Sequence, residues 1–186
     1  MTPPSIVLVG LMGTGKTTTA RLLSRTLRLP MTDSDAYLRE HYDASAAHIV
    51  DSEGTAVLHE HEVDHVIGAL TQPRQVIAAA ASVVENPRAR KALAAAFVVW
   101  LDAPDDVLDD RVRSARHRPK FDSATLRRRR EPYLREVADL RVEVVDTSPE
   151  EVVRQIVDAV SALAVKSAAD GGAGHGSAAG TGHEST

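Results

Sequence analysis

The run Ile6-Val7-Leu8-Val9 leads straight into Gly10-Leu11-Met12-Gly13-Thr14-Gly15-Lys16-Thr17, and this junction constrains the chain more than anything else in it. Four consecutive β-favouring apolar residues suit a strand covered on both faces, as in a parallel sheet. The octet that follows satisfies G-x-x-x-x-G-K-[ST] at every fixed position. Its glycines let the backbone curl until successive N–H groups point inward at phosphate oxygens. The helix that starts near Lys16 adds the positive end of its dipole. In such a loop the lysine reaches the β- and γ-phosphates and the Thr17 hydroxyl ligates Mg²⁺, so ATP and Mg²⁺ are the expected cofactors. Gly13, Thr14, Gly15, Lys16, Thr17 and Thr18 are the expected nucleotide-binding residues.

The rest of the chain supplies the alternation that such a loop needs. Phe97 to Leu101 reads as a second buried strand, Val76 to Ala80 as a weaker one and Val142 to Val145 as another. Helical stretches are expected at about 16–28, 54–71, 87–95, 104–114, 123–139 and 150–164. Strands separated by helices imply right-handed crossovers and a mainly parallel α/β sheet. At 186 residues the chain is of single-domain size. Six of its 11 glycines fall after Asp170, so residues 166–186 are expected to be a disordered tail behind a domain spanning 1–165.

Composition excludes several classes of function. No cysteine is present, which removes disulfide scaffolds, thiolate metal sites and cysteine nucleophiles. The formal net charge of −4 argues against a nucleic-acid partner. No run is long enough to span a bilayer and the N-terminus lacks the features of a signal peptide. The expectation is a cytoplasmic protein that acts as a monomer.

Beyond the loop, Asp33-Ser34-Asp35 follows Thr17 by sixteen residues. Two carboxylates at i and i+2 at the end of a strand can serve a metal and an acceptor separately. The competing reading is a helix N-cap with an acidic first turn. Residues 111–130 carry nine of the 22 Lys and Arg and one acid, Asp122. Arg127 to Arg130 spans every face of a helical turn, so these four cannot all meet one ligand.

From Ile6 to Leu163 the chain resembles the shikimate kinase family, on GLMGTGKTTTA, Asp33-x-Asp35, Arg118-Pro119 and Arg130-Glu131-Pro132. The resemblance implies a five-stranded parallel sheet flanked by helices, a substrate-binding subdomain at about 36–72 and a short lid at about 115–124. It implies that Asp33 holds Mg²⁺ through water and that Asp35 orients the attacking hydroxyl. Arg118 would close over the transferring phosphoryl, and Arg130 would grip a substrate carboxylate. The loop Asp146-Thr147-Ser148-Pro149 resembles the family's adenine-side loop. On the acceptor side the chain departs from the family. His59 stands where the family has an arginine, Ala80-Ala81-Ser82 replace three glycines, and the stretch from Arg118 to Arg130 is shorter. Losing one of two buried carboxylate anchors costs about 2–5 kcal/mol, so shikimate, a related hydroxylated acid and a cyclitol all remain candidate acceptors. A nucleotide switch or degenerate paralogue without acceptor chemistry is the alternative.

One competing motif crosses this region. His61-Glu62-Val63-Asp64-His65 is literally H-E-x-x-H, which on a helix would put two imidazoles on one face for zinc with Glu62 as a base. A solvated His/Glu helix face is the expected account of these histidines, because a zinc hydrolase leaves the phosphate-binding loop and the D-x-D without a purpose.

Overall fold

The structure is a computed structural model that describes residues 4–114 and 122–171. Five parallel strands form one sheet: β1 (Ile6–Val9), β2 (Met31–Asp33), β3 (Val76–Ala78), β4 (Phe97–Asp102) and β5 (Leu140–Glu143), in the spatial order β2-β3-β1-β4-β5. The central strands β1, β3 and β4 are buried on both faces, which is why they read as unbroken apolar runs. At the edge, β5 alternates Leu140-Arg141-Val142-Glu143 and only Val142 is buried. It begins and ends two residues before the run expected from its valines, because a half-covered edge strand obeys period two.

Among the described residues eight helices flank the sheet: α1 (Lys16–Leu27), α2 (Ser34–Tyr42), α3 (Ala46–Glu53), α4 (Thr55–Leu70), α5 (Pro87–Leu93), α6 (Asp105–Ser114), α7 (Ser123–Val137) and α8 (Pro149–Gly171). A short 3-10 turn covers Ala81–Glu85. On one face α1 and α8 pack through Leu23, Val153, Ile156 and Val160. On the other, α4, α5 and α7 bury Val63, Val66, Leu93 and Leu134 over Val7, Ile77 and Trp100. The pair α2 and α3, for which the sequence offered no helical expectation, has its own small core of Leu38, Ile49 and Leu58. That separate cluster lies within the segment expected to bind the acceptor. Helix α8 runs six residues past Val165, the expected end of the fold. Residues 172–186 of the expected tail lie outside the described residues, as do 115–121 of the expected lid. Among the described residues no helix is long and apolar enough to cross a membrane.

The arginine run is resolved largely by acids on neighbouring elements. Arg127 bonds Asp105 (2.6 Å) and Asp102 (2.8 Å), and Asp102 also takes Arg141 at 2.6 Å. Asp102 ends β4 almost fully buried, and the two guanidiniums offset the cost of burying its carboxylate. Arg127 is therefore a structural tie between β4, α6 and α7. Arg128 bonds Thr125 on its own helix.

Candidate active site

The site begins where β1 stops. Gly10 has φ +144, and a Cβ there would lie 2.2 Å from the Leu101 carbonyl oxygen, so the strand-to-loop turn is closed to any side chain. Thr14, buried, donates its hydroxyl to the Leu11 carbonyl at 2.9 Å and tightens the loop. Gly15 caps α1 in the left-handed region and brings no side chain to the helix end. The first-turn amides of α1 therefore remain for a ligand, as an anion site requires. Thr18 sits exposed in that turn.

Lys16 folds back over the loop, donating to the carbonyls of Gly10 (2.8 Å) and Leu11 (3.2 Å). Burial lowers its pKa to about 8, partly offset by Asp35 and Asp33 and further lowered by Arg130. It still carries its charge at neutral pH, next to the amides that would receive phosphate. Arg111, which the sequence analysis did not single out, donates from α6 to the carbonyl of Gly13 at 3.1 Å and to Val144 at 3.3 Å. It ties the phosphate loop to the segment after β5. Only its place within the basic stretch 111–130 hinted at this.

The D-x-D lies against the loop. The Thr17 hydroxyl donates to Asp33 Oδ2 at 2.7 Å, and Asp33 Oδ1 accepts the Asp35 N–H at 2.9 Å. Asp33 is thus the N-cap of α2, and Asp35 is one residue inside it. Both readings of the motif hold together, since the capping carboxylate also faces Thr17. A hydroxyl and a carboxylate this close form an all-oxygen pair that suits a hard cation such as Mg²⁺. Asp35 lies within electrostatic range of both Lys16 and Glu62.

Three acids lie close to Lys16 and Arg130: Asp35, Glu62 and Glu85. Glu62, from α4, is buried and accepts a hydrogen bond from the Ser82 hydroxyl. Burial raises its pKa to about 6 against the opposing pull of that bond, Arg130 and Lys16. Arg130 Nε donates to Glu85 Oε1 at 2.7 Å, while Arg129 approaches Glu85 Oε2 at 2.5 Å. His59 is held below its usual pKa by burial and then by Arg130, with Glu85 opposing, so it is neutral at pH 7. Ala80, Ala81 and Ser82 replace glycines without strain, because none of them has a positive φ. Arg118 lies outside the described residues. Glu62 entered the sequence analysis only as the base of H-E-x-x-H, and Glu85 carries no local pattern that marks it as a site residue.

The H-E-x-x-H reading fails on geometry. His65 is not on a solvated face as expected; it is 2% exposed, with ring nitrogens bonded to Thr32 (2.9 Å) and Ser34 (3.0 Å). His61 stacks on Tyr42 with ring centroids 3.8 Å apart. With both His65 nitrogens engaged, no lone pair is left for zinc. Among the described residues no cluster of three or more His, Asp or Glu could hold a metal ion.

Comparison with known proteins places the chain in a family. Residues 12–161 match the family model described as shikimate kinase. The chain belongs to the shikimate kinase family. A shikimate kinase from Psychrobacter cryohalolentis is 31% identical over 175 residues, covering 90% of this chain and 94% of that protein. One from Halorhodospira halophila is 37% identical over 168 residues, covering 86% and 94% respectively. The solved shikimate kinase from Acinetobacter baumannii, in complex with shikimate, superposes with a TM-score of 0.79 at 27% identity, covering 87% of this chain and 94% of that one. The five-stranded parallel α/β architecture is that of the family, and the chain is an ATP-dependent small-molecule kinase.

Glu62 makes a pH-dependent prediction that can be checked without substrate. Its folded pKa of about 6 lies above the ordinary 4.5. The folded protein therefore holds this proton more tightly, and that contribution is full below pH 4.5 and lost as pH rises through 6. Glu62→Gln removes the titration. Relative to the native chain it should gain about 2 kcal/mol between pH 4 and pH 7.5, read from urea unfolding at the two pH values. Equal differences at both would mean that burial does not govern Glu62.

Proposed function

We propose that the chain transfers the γ-phosphoryl group of Mg·ATP to a hydroxyl of shikimate. The observation that carries this reading is the 2.7 Å contact between Thr17 and Asp33, which sets the D-x-D against the phosphate loop with Asp35 within range of Lys16. The loop amides and Lys16 neutralise the phosphates. Thr17 and Asp33, with water and phosphate oxygens, would hold Mg²⁺, which neutralises charge as the phosphoryl moves. Asp35 places the attacking oxygen and draws on its proton, and Arg118 is the cation that closes over the transferring group.

On the acceptor side Arg130 offers a guanidinium to the substrate carboxylate. Only its Nε is bonded to Glu85, and among the described residues its Nη groups have no hydrogen-bond partner. A planar fork of that kind suits a carboxylate. Neutral His59 contributes hydrogen bonding but no charge at pH 7, so carboxylate recognition rests on one arginine. The segment 36–72, with its separate small core, is the acceptor-binding subdomain in this reading.

The test is release of ADP from Mg·ATP across shikimate, quinate, gluconate and simple cyclitols. The reading expects stimulation by shikimate above the other compounds. Stimulation by a carboxylate-free cyclitol alone would transfer the assignment to that acceptor, and stimulation by none would overturn phosphotransfer to a small alcohol.

A further inference from the structure

We propose that His65 is a positioning residue for the D-x-D, clamping Asp33 and Asp35 from behind. In the extended backbone of β2, successive side chains alternate faces. Thr32 and Ser34 therefore point to one side while Asp33, with φ −141 and ψ 138, points to the other, toward Thr17. Both rear-facing hydroxyls meet the same rigid ring, Thr32 Oγ1 at Nε2 (2.9 Å) and Ser34 Oγ at Nδ1 (3.0 Å). One imidazole on α4 thus grips the residues on either side of Asp33, just where β2 becomes α2.

The same network reaches the acceptor side. The N–H of Ala80, at the exit of β3, donates to Ser34 Oγ at 3.1 Å. Ser34 has one proton to give, and Nδ1 at 3.0 Å is nearer than the Ala78 carbonyl at 3.4 Å. That leaves Nε2–H to donate to Thr32, so the neutral ring uses its single donor and single acceptor fully. Tyr37 packs on the ring from α2, with centroids 4.8 Å apart. If the position served packing alone, an apolar side chain would fill it without bringing polar groups into the core. What the imidazole adds is registry among the D-x-D, α4 and the Ala80 backbone. Partners of this second-layer kind fix ligand orientation, and losing them lowers activity about 10–100-fold.

The inference rests on the kinase reading for its catalytic consequence, and its test has an arm that needs neither nucleotide nor acceptor. In nucleotide-free His65→Leu, the amides of Asp35 and Ala80 should exchange with deuterium at least about tenfold faster than in the native chain, while those of β1 stay protected. In the ADP-release assay kcat should fall about 10–100-fold, the Mg²⁺ concentration for half-maximal rate should rise, and the KM for ATP should stay within about threefold. His65→Asn carries an amide oxygen near the Nδ1 position and should recover most of the loss by restoring the Ser34 bond. His65→Gln reaches only the Thr32 side and should not. If His65→Leu does not fold, the Asn and Gln variants carry the comparison, and equal rates for those two overturn the clamp. Native exchange at Asp35 and Ala80 in a folded Leu variant also overturns it. A native chain that phosphorylates no acceptor, but whose Leu variant shows the exchange change, refutes the kinase reading and leaves the clamp standing.

Discussion

Lys16→Ala should lower phosphotransfer by at least about 10³-fold, because it removes the one loop cation placed to meet charge developing on the β- and γ-phosphates. The ammonium is held by the carbonyls of Gly10 and Leu11 and must exchange them for phosphate oxygens, a short swing within the same loop. The loss should not come from unfolding. Burial drives the Lys16 pKa from 10.5 to about 8, so at pH 7 the folded state carries a charge that the unfolded chain solvates better. Removing it should leave thermal stability unchanged or raise it, by up to about 3 kcal/mol. The sign is definite: the unfolded chain binds this proton more tightly, so native stability rises as pH passes from 8 to 10.5. Nucleotide affinity should decline above pH 8, where the free protein loses the ammonium proton. Steady-state rates combined with thermal melts separate these effects. A fully active alanine variant, or one inactive only because it melts early, would contradict the role given to Lys16.

Asp35→Asn should divide chemistry from nucleotide binding. The Asp35 carboxylate is not among the groups that cap α2, since Asp33 does that work through the Asp35 N–H. Asparagine keeps the shape and is well tolerated in a first helical turn, so the Thr17–Asp33 contact should persist. What disappears is the negative charge proposed to orient the acceptor hydroxyl and ease its proton away. General-base contributions of this kind amount to about 10²–10⁴-fold in kcat. The affinity for Mg·ADP at pH 7 should change far less than kcat, because the loop amides are untouched and Lys16 loses only the supporting charge of Asp35. Rapid-quench measurement of the phosphoryl-transfer step and equilibrium titration with ADP give the two quantities directly. Normal turnover in the Asn variant would remove Asp35 from the mechanism.

The parts of this protein that could be read from its sequence are those whose function depends on local pattern. The loop from Gly10 to Thr17 is legible because each glycine answers a backbone requirement and each polar residue a ligand requirement within one octet. Strands β1 and β4 are legible because burial on both faces writes an unbroken apolar run. The D-x-D could be found by spacing, but its dual service as N-cap and partner of Thr17 could not. Helices α2 and α3 went unread because they are short, and their apolar face is only Leu38, Ile49 and a few partly buried neighbours around a core of their own. The extent of β5 was misread by two residues because Val144 and Val145 looked stronger as strand than Leu140 and Arg141. Arg141 is in fact held in the strand by Asp102 and lies over the Trp100 ring at 4.7 Å.

The surroundings of Arg130 and Glu62 were hardest to read because their contacts come from pairs distant in sequence. Nothing near Glu85 announces that residues 129 and 130 will share it, and nothing near Ser82 announces Glu62. His65 shows the problem most clearly. Its spacing from His61 suggests zinc or a solvated helix face, whereas the fold turns the ring inward onto Thr32 and Ser34, 33 and 31 residues away. Residue type and spacing within α4 are the same in all these readings, and only the packing of α4 on β2 separates them.

The central claim is that the amides after Gly10, together with Lys16, Thr17 and Asp33, form a magnesium-dependent seat for the phosphates of a nucleotide. Calorimetric titration of the purified chain with ADP, with and without Mg²⁺, tests it most directly. The account predicts saturable binding of one nucleotide per chain that strengthens when Mg²⁺ is present and is lost in Lys16→Ala. Absence of binding under both conditions, or binding indifferent to both magnesium and Lys16, would contradict it.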